Sequence, residues 1–329
     1  MAPPRAGPNA GGRGFPAVAS PADCPGKGGG HMSGKWESRF DPRRVYGNKI
    51  CEIGQRRPET VVLVADLAVS FNLLEFAASC TTQFMNVGVA EQNMVGIAAG
   101  LALEGKIPWV NSIAPFATLR CCEQIRTDLC YNNLHAVVVS IMGGLSGAPL
   151  GATHYATDDL GVLRSFANMT ILVPADQWEI EAAMEAAAEA KGPVYLRLGA
   201  GMEPHLPIPR PAFEIGRSFP LREGKDISLI ATGYMVHKAL EAAEALEQEV
   251  FSVGVCDHPT IKPLDRDSVI GAARGRRLVV SIEEHNIYCG LGSAVAEVMA
   301  EAGMAVPLCR MGLPDVYGSV GEREDLLKK

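Results

Sequence analysis

The 329-residue sequence has no excess of cationic side chains. Thirty Lys and Arg stand against 37 Asp and Glu, for a formal net charge of −7. A nonspecific nucleic-acid surface needs the opposite balance, so that class is set aside. No apolar run approaches the roughly 20 residues that a membrane-crossing helix requires. None of the nine cysteines has C-x-x-C spacing, and several lie inside apolar patterns. They read as reduced, mostly buried thiols of a cytoplasmic protein, not as a disulfide frame or zinc site. Two nucleotide signatures, Gly-x-x-x-x-Gly-Lys-Ser/Thr and Gly-x-Gly-x-x-Gly, are missing as well. That weakens any reading as a nicotinamide dehydrogenase.

Hydrophobic residues make up 47% of the chain, enough for two domains with real cores. Residues 1–34 differ from the rest: Pro, Gly and Ala without periodicity and without an apolar segment of the secretory kind. Disorder is expected there, whether the segment is a natural tail or a cloning scar ending at Gly28-Gly29-Gly30-His31-Met32. Beyond it, apolar runs of strand length alternate with helix patterns. The first are Thr60–Asp66, Ile107–Ser112, His135–Ile141, Met169–Pro174 and Gly192–Leu198, the last expected to close a sheet. Asp176 is placed to cap a helix over 177–191. Five prolines between 204 and 220 read as an extended linker. After it, strands and helices alternate again up to Cys309. The expectation is an α/β chain of two doubly wound domains: 35–203, a linker at 204–220, and a smaller domain at 221–329.

One stretch organises the rest. Phe84-Met85-Asn86 reads as a short strand, Gly88 as a turn, and Glu91-Gln92-Asn93-Met94 as the opening of a helix. At about 100° per residue, Met94, Val95, Ala98 and Ala102 fall on the same face as Glu91, and Glu104 falls opposite. A carboxylate among apolar neighbours needs a compensating partner.

The order Gly-Val-Ala-Glu-Gln-Asn-Met-Val-Gly-Ile-Ala-Ala-Gly-Leu-Ala (88–102) resembles the pyrimidine-binding domain of transketolases and 1-deoxyxylulose-5-phosphate synthases. The resemblance implies that Glu91 contacts the N1′ nitrogen of thiamine diphosphate. Ala65-Asp66-Leu67-Ala68-Val69-Ser70 is similar to a transketolase strand end, where the Asp approaches the cofactor and the Ser a substrate phosphate. Ser112 to Arg126 resembles the family's Ser-x-x-x-Phe-Ala-x-x-Arg-x-x-Glu-Gln-Ile-Arg stretch, which implies that Phe116 stacks on the aminopyrimidine. Ile113 and Leu119 would wall the slot. Glu123 and Arg126 read as surface or interface ion pairs.

The glycine-rich segment 142–155 is similar to a transketolase loop and retains His154 at the position facing the reactive carbon. It departs at Leu150, where the family has a hydroxyl-orienting Asp. It departs again at Tyr155, in place of Gln, and at Met142, in place of a substrate-binding His. Ala200 replaces a phosphate-clamping Arg. These departures point to an atypical substrate. His258 and His285, in segments resembling the transketolase C-terminal domain, read as structural or interfacial.

The resemblance spans about residues 45–329 and omits the family's first domain. Its Gly-Asp-Gly motif, which holds the diphosphate and Mg²⁺, occurs nowhere in the sequence. The chain is therefore expected to be one half of a split thiamine-diphosphate transketolase. A separate N-terminal subunit would hold the diphosphate and Mg²⁺, in a heterotetramer. Catalytic roles fall to Glu91 and His154, with no metal ligand in this chain. Two rivals remain: the β subunit of a 2-oxoacid dehydrogenase E1, and a transketolase-like scaffold without activity.

Overall fold

The computed structural model describes residues 38–206 and 208–328, so the tail expected at 1–34 lies outside the described residues. A short strand β1 (Arg39–Phe40) leads into helix α1 (Pro42–Arg56). Asp41 caps that helix by accepting from the Arg43 amide. Strand β2 (Thr60–Val64), helix α2 (Leu74–Ser79), strand β3 (Phe84–Asn86) and helix α3 (Glu91–Leu103) follow. Strand β4 (Ile107–Ile113) runs into one turn of helix, α4 (Ala114–Ala117). After it come α5 (Cys122–Gln124), continued by π-helical turns over Ile125–Tyr131, and strand β5 (Val137–Ile141). Helix α6 (Asp159–Arg164), β6 (Thr170–Leu172), α7 (Gln177–Ala188) and β7 (Val194–Arg197) complete the first half. Strand β8 (Glu203–Pro204) returns to pair with β1.

Strands β2, β4 and β5 are buried at every residue, so they carry apolar side chains on both faces. Val61 and Leu63 join the cluster that holds Met94 and Ala98 of α3. The alternate residues Val62 and Val64 join the cluster of Tyr46 and Ile50 from α1. The period-two alternation of a strand thus feeds two helical layers. Truncating a side chain such as Leu63 costs about 2–5 kcal/mol in such a core.

The second half opens with β9 (Phe219–Arg222) and β10 (Ile227–Ala231), then α8 (Met235–Gln248), β11 (Val253–Asp257), β12 (Thr260–Lys262) and α9 (Arg266–Ala273). It ends with β13 (Leu278–Asn286), α10 (Leu291–Glu301), β14 (Leu308–Leu313) and a last short helix, α11 (Arg323–Leu326). Its sheet has the order β14-β13-β10-β11-β9 and is parallel except for β9. The chain is α/β, with two mixed and mainly parallel sheets.

The sequence reading misplaces one edge. Segment 192–198 does not close the first sheet, because β7 lies inside it, between β5 and β6. The edge strand is β12, which leaves the second half of the chain and pairs antiparallel with β6. Three residues flanked by Pro259 and Pro263 carry too little pattern to announce a strand.

The proline-rich segment is anchored as well as extended. Leu206 is buried in the second core, and Arg210 reaches a buried acidic cluster. Its Nη1 donates to Glu179 Oε1 at 2.5 Å and its Nη2 to Asp176, the residue that caps α7. Asp257, at the end of β11, lies 3.9 Å from the same guanidinium. Three acids surround one arginine. Among the described residues, neither Asp257 oxygen has a donor unless one carboxyl of the Asp257–Glu179 pair keeps its proton. Burial first, and then Glu179, push the Asp257 carboxyl well above the usual aspartate range. Such an acid binds its proton more tightly in the fold than in the unfolded chain. Its contribution to stability is whole below the unfolded value of about 4. That contribution is lost as pH rises towards the raised value. Asp257→Asn keeps a donor for Glu179 without a titrating proton. Urea midpoints should therefore separate in the variant's favour as pH rises from roughly 5 to 9. A variant that tracks the wild type at every pH excludes the shared proton.

Candidate functional site

Strands β3, β2, β4, β5 and β7 lie side by side in that order and pair in parallel, so their carboxyl ends emerge at one edge. In open α/β sheets that edge is where ligands bind. Asp66 follows β2, Glu91 follows β3, Phe116 follows β4, Met142 follows β5, and Ala200 lies just after β7. Parallel pairing collects residues scattered over more than 100 positions.

Glu91 begins α3 and is only 4% exposed. Arg120 Nη1 donates to its Oε1 at 2.8 Å. The same guanidinium lies over the Phe116 ring, with Cζ 4.1 Å from the centroid. The Phe116 and His154 rings meet edge to face at 5.4 Å between centroids. Nδ1 of His154 shares a hydrogen bond with the Thr153 hydroxyl at 2.8 Å. Glu91, Arg120, Phe116 and His154 therefore form one connected group. Beneath it, the Cys121 thiol donates to the Phe116 carbonyl. Burial, and then the Glu91 charge, push that thiol up to about 12, so it stays neutral.

The remaining expected residues are spread around this group. Asp66 is exposed and takes a positive φ of 60°. Asn86 holds it: the Asn86 side-chain oxygen accepts from the Asp66 amide, and its nitrogen donates to Asp66 Oδ1. The same oxygen accepts from the Gly88 amide, which ties the β2 end to the turn entering α3. Ser70 is half-buried in the next turn. Ile113 is buried, and Phe116 and Met142 pack against its cluster. Leu119 is half-buried and Leu150 exposed. Glu123 and Arg126 form an exposed pair. His258 is buried, with both ring nitrogens unpartnered among the described residues, and burial lowers it to about 4. His285 accepts from the Gly161 amide, joining α6 to β13.

Sequence reasoning passed over Arg120 and Asn86. Arg120 stands in the quoted stretch, four residues after the aromatic ring, and that spacing was its only signal. Asn86 carried none beyond being polar at a strand end.

The second half of the chain also seats the loop of His154. Gly144 takes a φ of 61°, and an added Cβ there would collide with the Glu284 carboxylate. Glu284 receives two bonds from Arg323 of α11, at 2.6 and 2.5 Å, and Arg323 Nη1 donates to Glu203 at 2.9 Å. Leu145, Ala148 and Tyr155 pack with Leu313, Leu326 and Leu327. The Tyr155 hydroxyl donates to the Gly318 carbonyl at 2.9 Å.

A buried glutamate opening a helix at the carboxyl edge of a parallel sheet, beside an aromatic face, defines the class: a pyrimidine-binding domain of the thiamine-diphosphate type. Known proteins agree. Residues 38–202 match the transketolase pyrimidine binding domain, and residues 216–329 match the transketolase C-terminal domain. The chain belongs to the transketolase family, as a C-terminal section with those two domains. It is 38% identical over 288 residues to a putative transketolase C-terminal section from Methanocaldococcus jannaschii, covering 87% of this chain and 90% of that one. It is 37% identical to one of the subunits of apulose-4-phosphate transketolase from Actinobacillus succinogenes (82% and 87% covered). It is 35% identical to 6-deoxy-6-sulfo-D-fructose transketolase subunit SqwH from a Clostridium species (87% and 89%). Among solved structures, a split-gene transketolase described as an inactive β4 tetramer superposes with a TM-score of 0.79 at 41% identity, covering 86% and 92%. The pyrimidine-binding domain implies thiamine diphosphate as cofactor.

Arg323→Ala would leave Glu284 and Glu203 buried without their cation. A loss of about 3–5 kcal/mol in unfolding free energy is expected. Faster amide exchange across residues 144–155 should accompany it. Unchanged exchange there would show that α11 does not support the loop.

Proposed function

We propose that this chain is the pyrimidine-binding half of a two-chain transketolase that moves a two-carbon ketol unit from a ketose to an aldehyde. The carrying observation is the buried Glu91 carboxylate beside the Phe116 ring at the carboxyl edge of the sheet. These residues fit an aminopyrimidine: the guanidinium now on them is a flat, nitrogen-edged group of similar chemistry. The proposed domains are 35–203 for pyrimidine binding and 221–329 for the C-terminal domain, joined by 204–220.

Bound thiamine diphosphate supplies a carbanion at its thiazolium C2 and the electron sink. Glu91 holds a shared proton at N1′, where an apolar wall strengthens the bond. Phe116 presents a face to the ring, with Ile113 and Leu119 beside it. Asp66, oriented by Asn86, approaches the cofactor from the end of β2. His154, oriented by Thr153, moves protons at substrate oxygens. Ser70, Leu150 and Met142 border the substrate.

The diphosphate and Mg²⁺ belong to a partner subunit. Two observations support a partner. The similar Actinobacillus and Clostridium proteins are named as subunits, and the similar split-gene chain is inactive as a β4 tetramer. Helix α3 also leaves Gln92, Asn93, Gly96 and Gly100 exposed, with open space beyond both glycines, next to exposed Val89 and Leu103. A helix apolar on nearly every side fits a second polypeptide, and the assembly we propose is a heterotetramer of the two chains.

The substrate is unlike the common pentose and hexose phosphates. Leu150 and Met142 offer no hydrogen bonds, and Ala200 cannot clamp a phosphate. Two similar proteins are named for uncommon sugars, apulose 4-phosphate and a sulfofructose, each carrying an anionic group.

The chain assembled with its partner, thiamine diphosphate and Mg²⁺ should cleave a ketose donor. Glu91→Gln should lower turnover by at least about 10²-fold while leaving assembly intact by size-exclusion chromatography. Near-normal turnover in that variant would falsify the assignment. The wild-type complex should be slow on xylulose 5-phosphate with ribose 5-phosphate; rates typical of primary metabolism would overturn the substrate reading.

A further inference from the structure

Glu91 has a partner already, and its identity matters. Arg120 lays a planar guanidinium on the face of Phe116 and points an N–H at the Glu91 carboxylate. An aminopyrimidine held by this glutamate and this ring would do the same two things. Both groups are flat, edged with nitrogen, and bind through one aromatic face and one carboxylate. A pyrimidine on the ring face that Arg120 covers, bonded to the same carboxylate oxygen, has to displace it.

We propose that Arg120 is a built-in occupant of the aminopyrimidine position, displaced when the cofactor enters. This rests on the assignment of Glu91 and Phe116 made above. Three features suit Arg120 to the part. Its backbone is fixed: its amide donates to the Pro115 carbonyl at 3.1 Å, and its carbonyl accepts from the Gln92 side chain at 3.1 Å. Its guanidinium, in contrast, makes a single hydrogen bond among the described residues, the one to Glu91. Its side chain is 42% exposed, so part of it already meets water. A fixed base with a free end is a hinge.

The occupant also answers a folding problem. Glu91 is 4% exposed and shares the buried side of α3 with Met94, Val95 and Ala98. A carboxylate in that setting without a partner is costly. A subunit that must fold before it meets cofactor and partner therefore needs a temporary cation. Arg120 supplies it and keeps the ring face of Phe116 from collapsing onto neighbours. The consequence for affinity is simple. Cofactor binds only the fraction of molecules in which Arg120 has swung out, and its apparent affinity falls by that fraction.

The test uses the full chain assembled with its partner, titrated calorimetrically with thiamine diphosphate and Mg²⁺. Arg120→Ala should bind the cofactor about ten-fold more tightly than wild type. Without cofactor, the same variant should melt at a lower temperature than wild type, and saturating cofactor should close that gap. Methylguanidinium should compete with the cofactor in Arg120→Ala and have little effect on wild type. Arg120→Lys, whose ammonium can reach Glu91 but cannot cover the ring, should fall between the two. It also keeps the test open if the alanine variant folds poorly. Equal or weaker cofactor binding in both variants overturns the occupant and leaves the thiamine assignment standing. Wild-type complex that takes up no cofactor, with Glu91→Gln indistinguishable from it, sinks the assignment and the occupant together.

Discussion

A single buried carboxylate constrains this chain more than any other group. The register of α3 sends Met94, Val95, Ala98 and Ala99 into the core and takes Glu91 with them. Water cannot serve Glu91 well at 4% exposure, so the surrounding architecture must. Parallel pairing of β3, β2 and β4 brings the segment after β4 within reach, and Arg120 arrives from there. The same pairing delivers Phe116, and the β5 loop delivers His154 against its edge. One charge that cannot be left alone thus fixes Arg120, and ring contacts extend that order to Phe116 and His154.

The second half of the chain contributes more than a surface for assembly. Strand β12 completes the first sheet, and Arg210 ties the connecting segment to α7. At the other end, Arg323 joins Glu284 and Glu203, and leucines from the C-terminal residues cover the loop of His154. Arg197 performs a related task inside the first half. Burial alone would raise Asp159, but the Arg197 guanidinium outweighs it and holds that carboxyl below the usual range. Arg197 Nη2 also donates to the Glu284 carbonyl at 3.1 Å. These buried pairs are directional, so they specify one seating of the loop more than they add net stability.

Much of this was legible in the chain itself, for physical reasons that differ from residue to residue. Glu91 was visible because a charge in a helix's apolar stripe violates a strong pattern. The strands Thr60–Val64, Ile107–Ile113 and Val137–Ile141 were visible because strands buried on both faces are nearly all apolar. Asp176 announced its helix and accepts the expected amide hydrogen from Glu179. Glu123 and Arg126, read as a surface or interface pair, form an exposed one. Arg120 was barely legible, since only its spacing from Phe116 separates it from Arg126. Asn86 was not legible, since its three hydrogen bonds all go to partners chosen by strand pairing and turn geometry.

The sequence by itself determined the local patterns: the strands buried on both faces, most of the helices, the cap at Asp176, and that a carboxylate would be buried. Those follow from periodicity and from the preferences of single residues, which act over a few positions. Only the tertiary structure decided which strand forms the sheet edge, which cation answers Glu91, and that the C-terminal residues seat the loop of His154. Those outcomes join groups 29 positions apart for Arg120 and Glu91, and 163 apart for Tyr155 and Gly318. Contacts at such separations arise from packing whole elements against one another, and no short window of sequence holds that information.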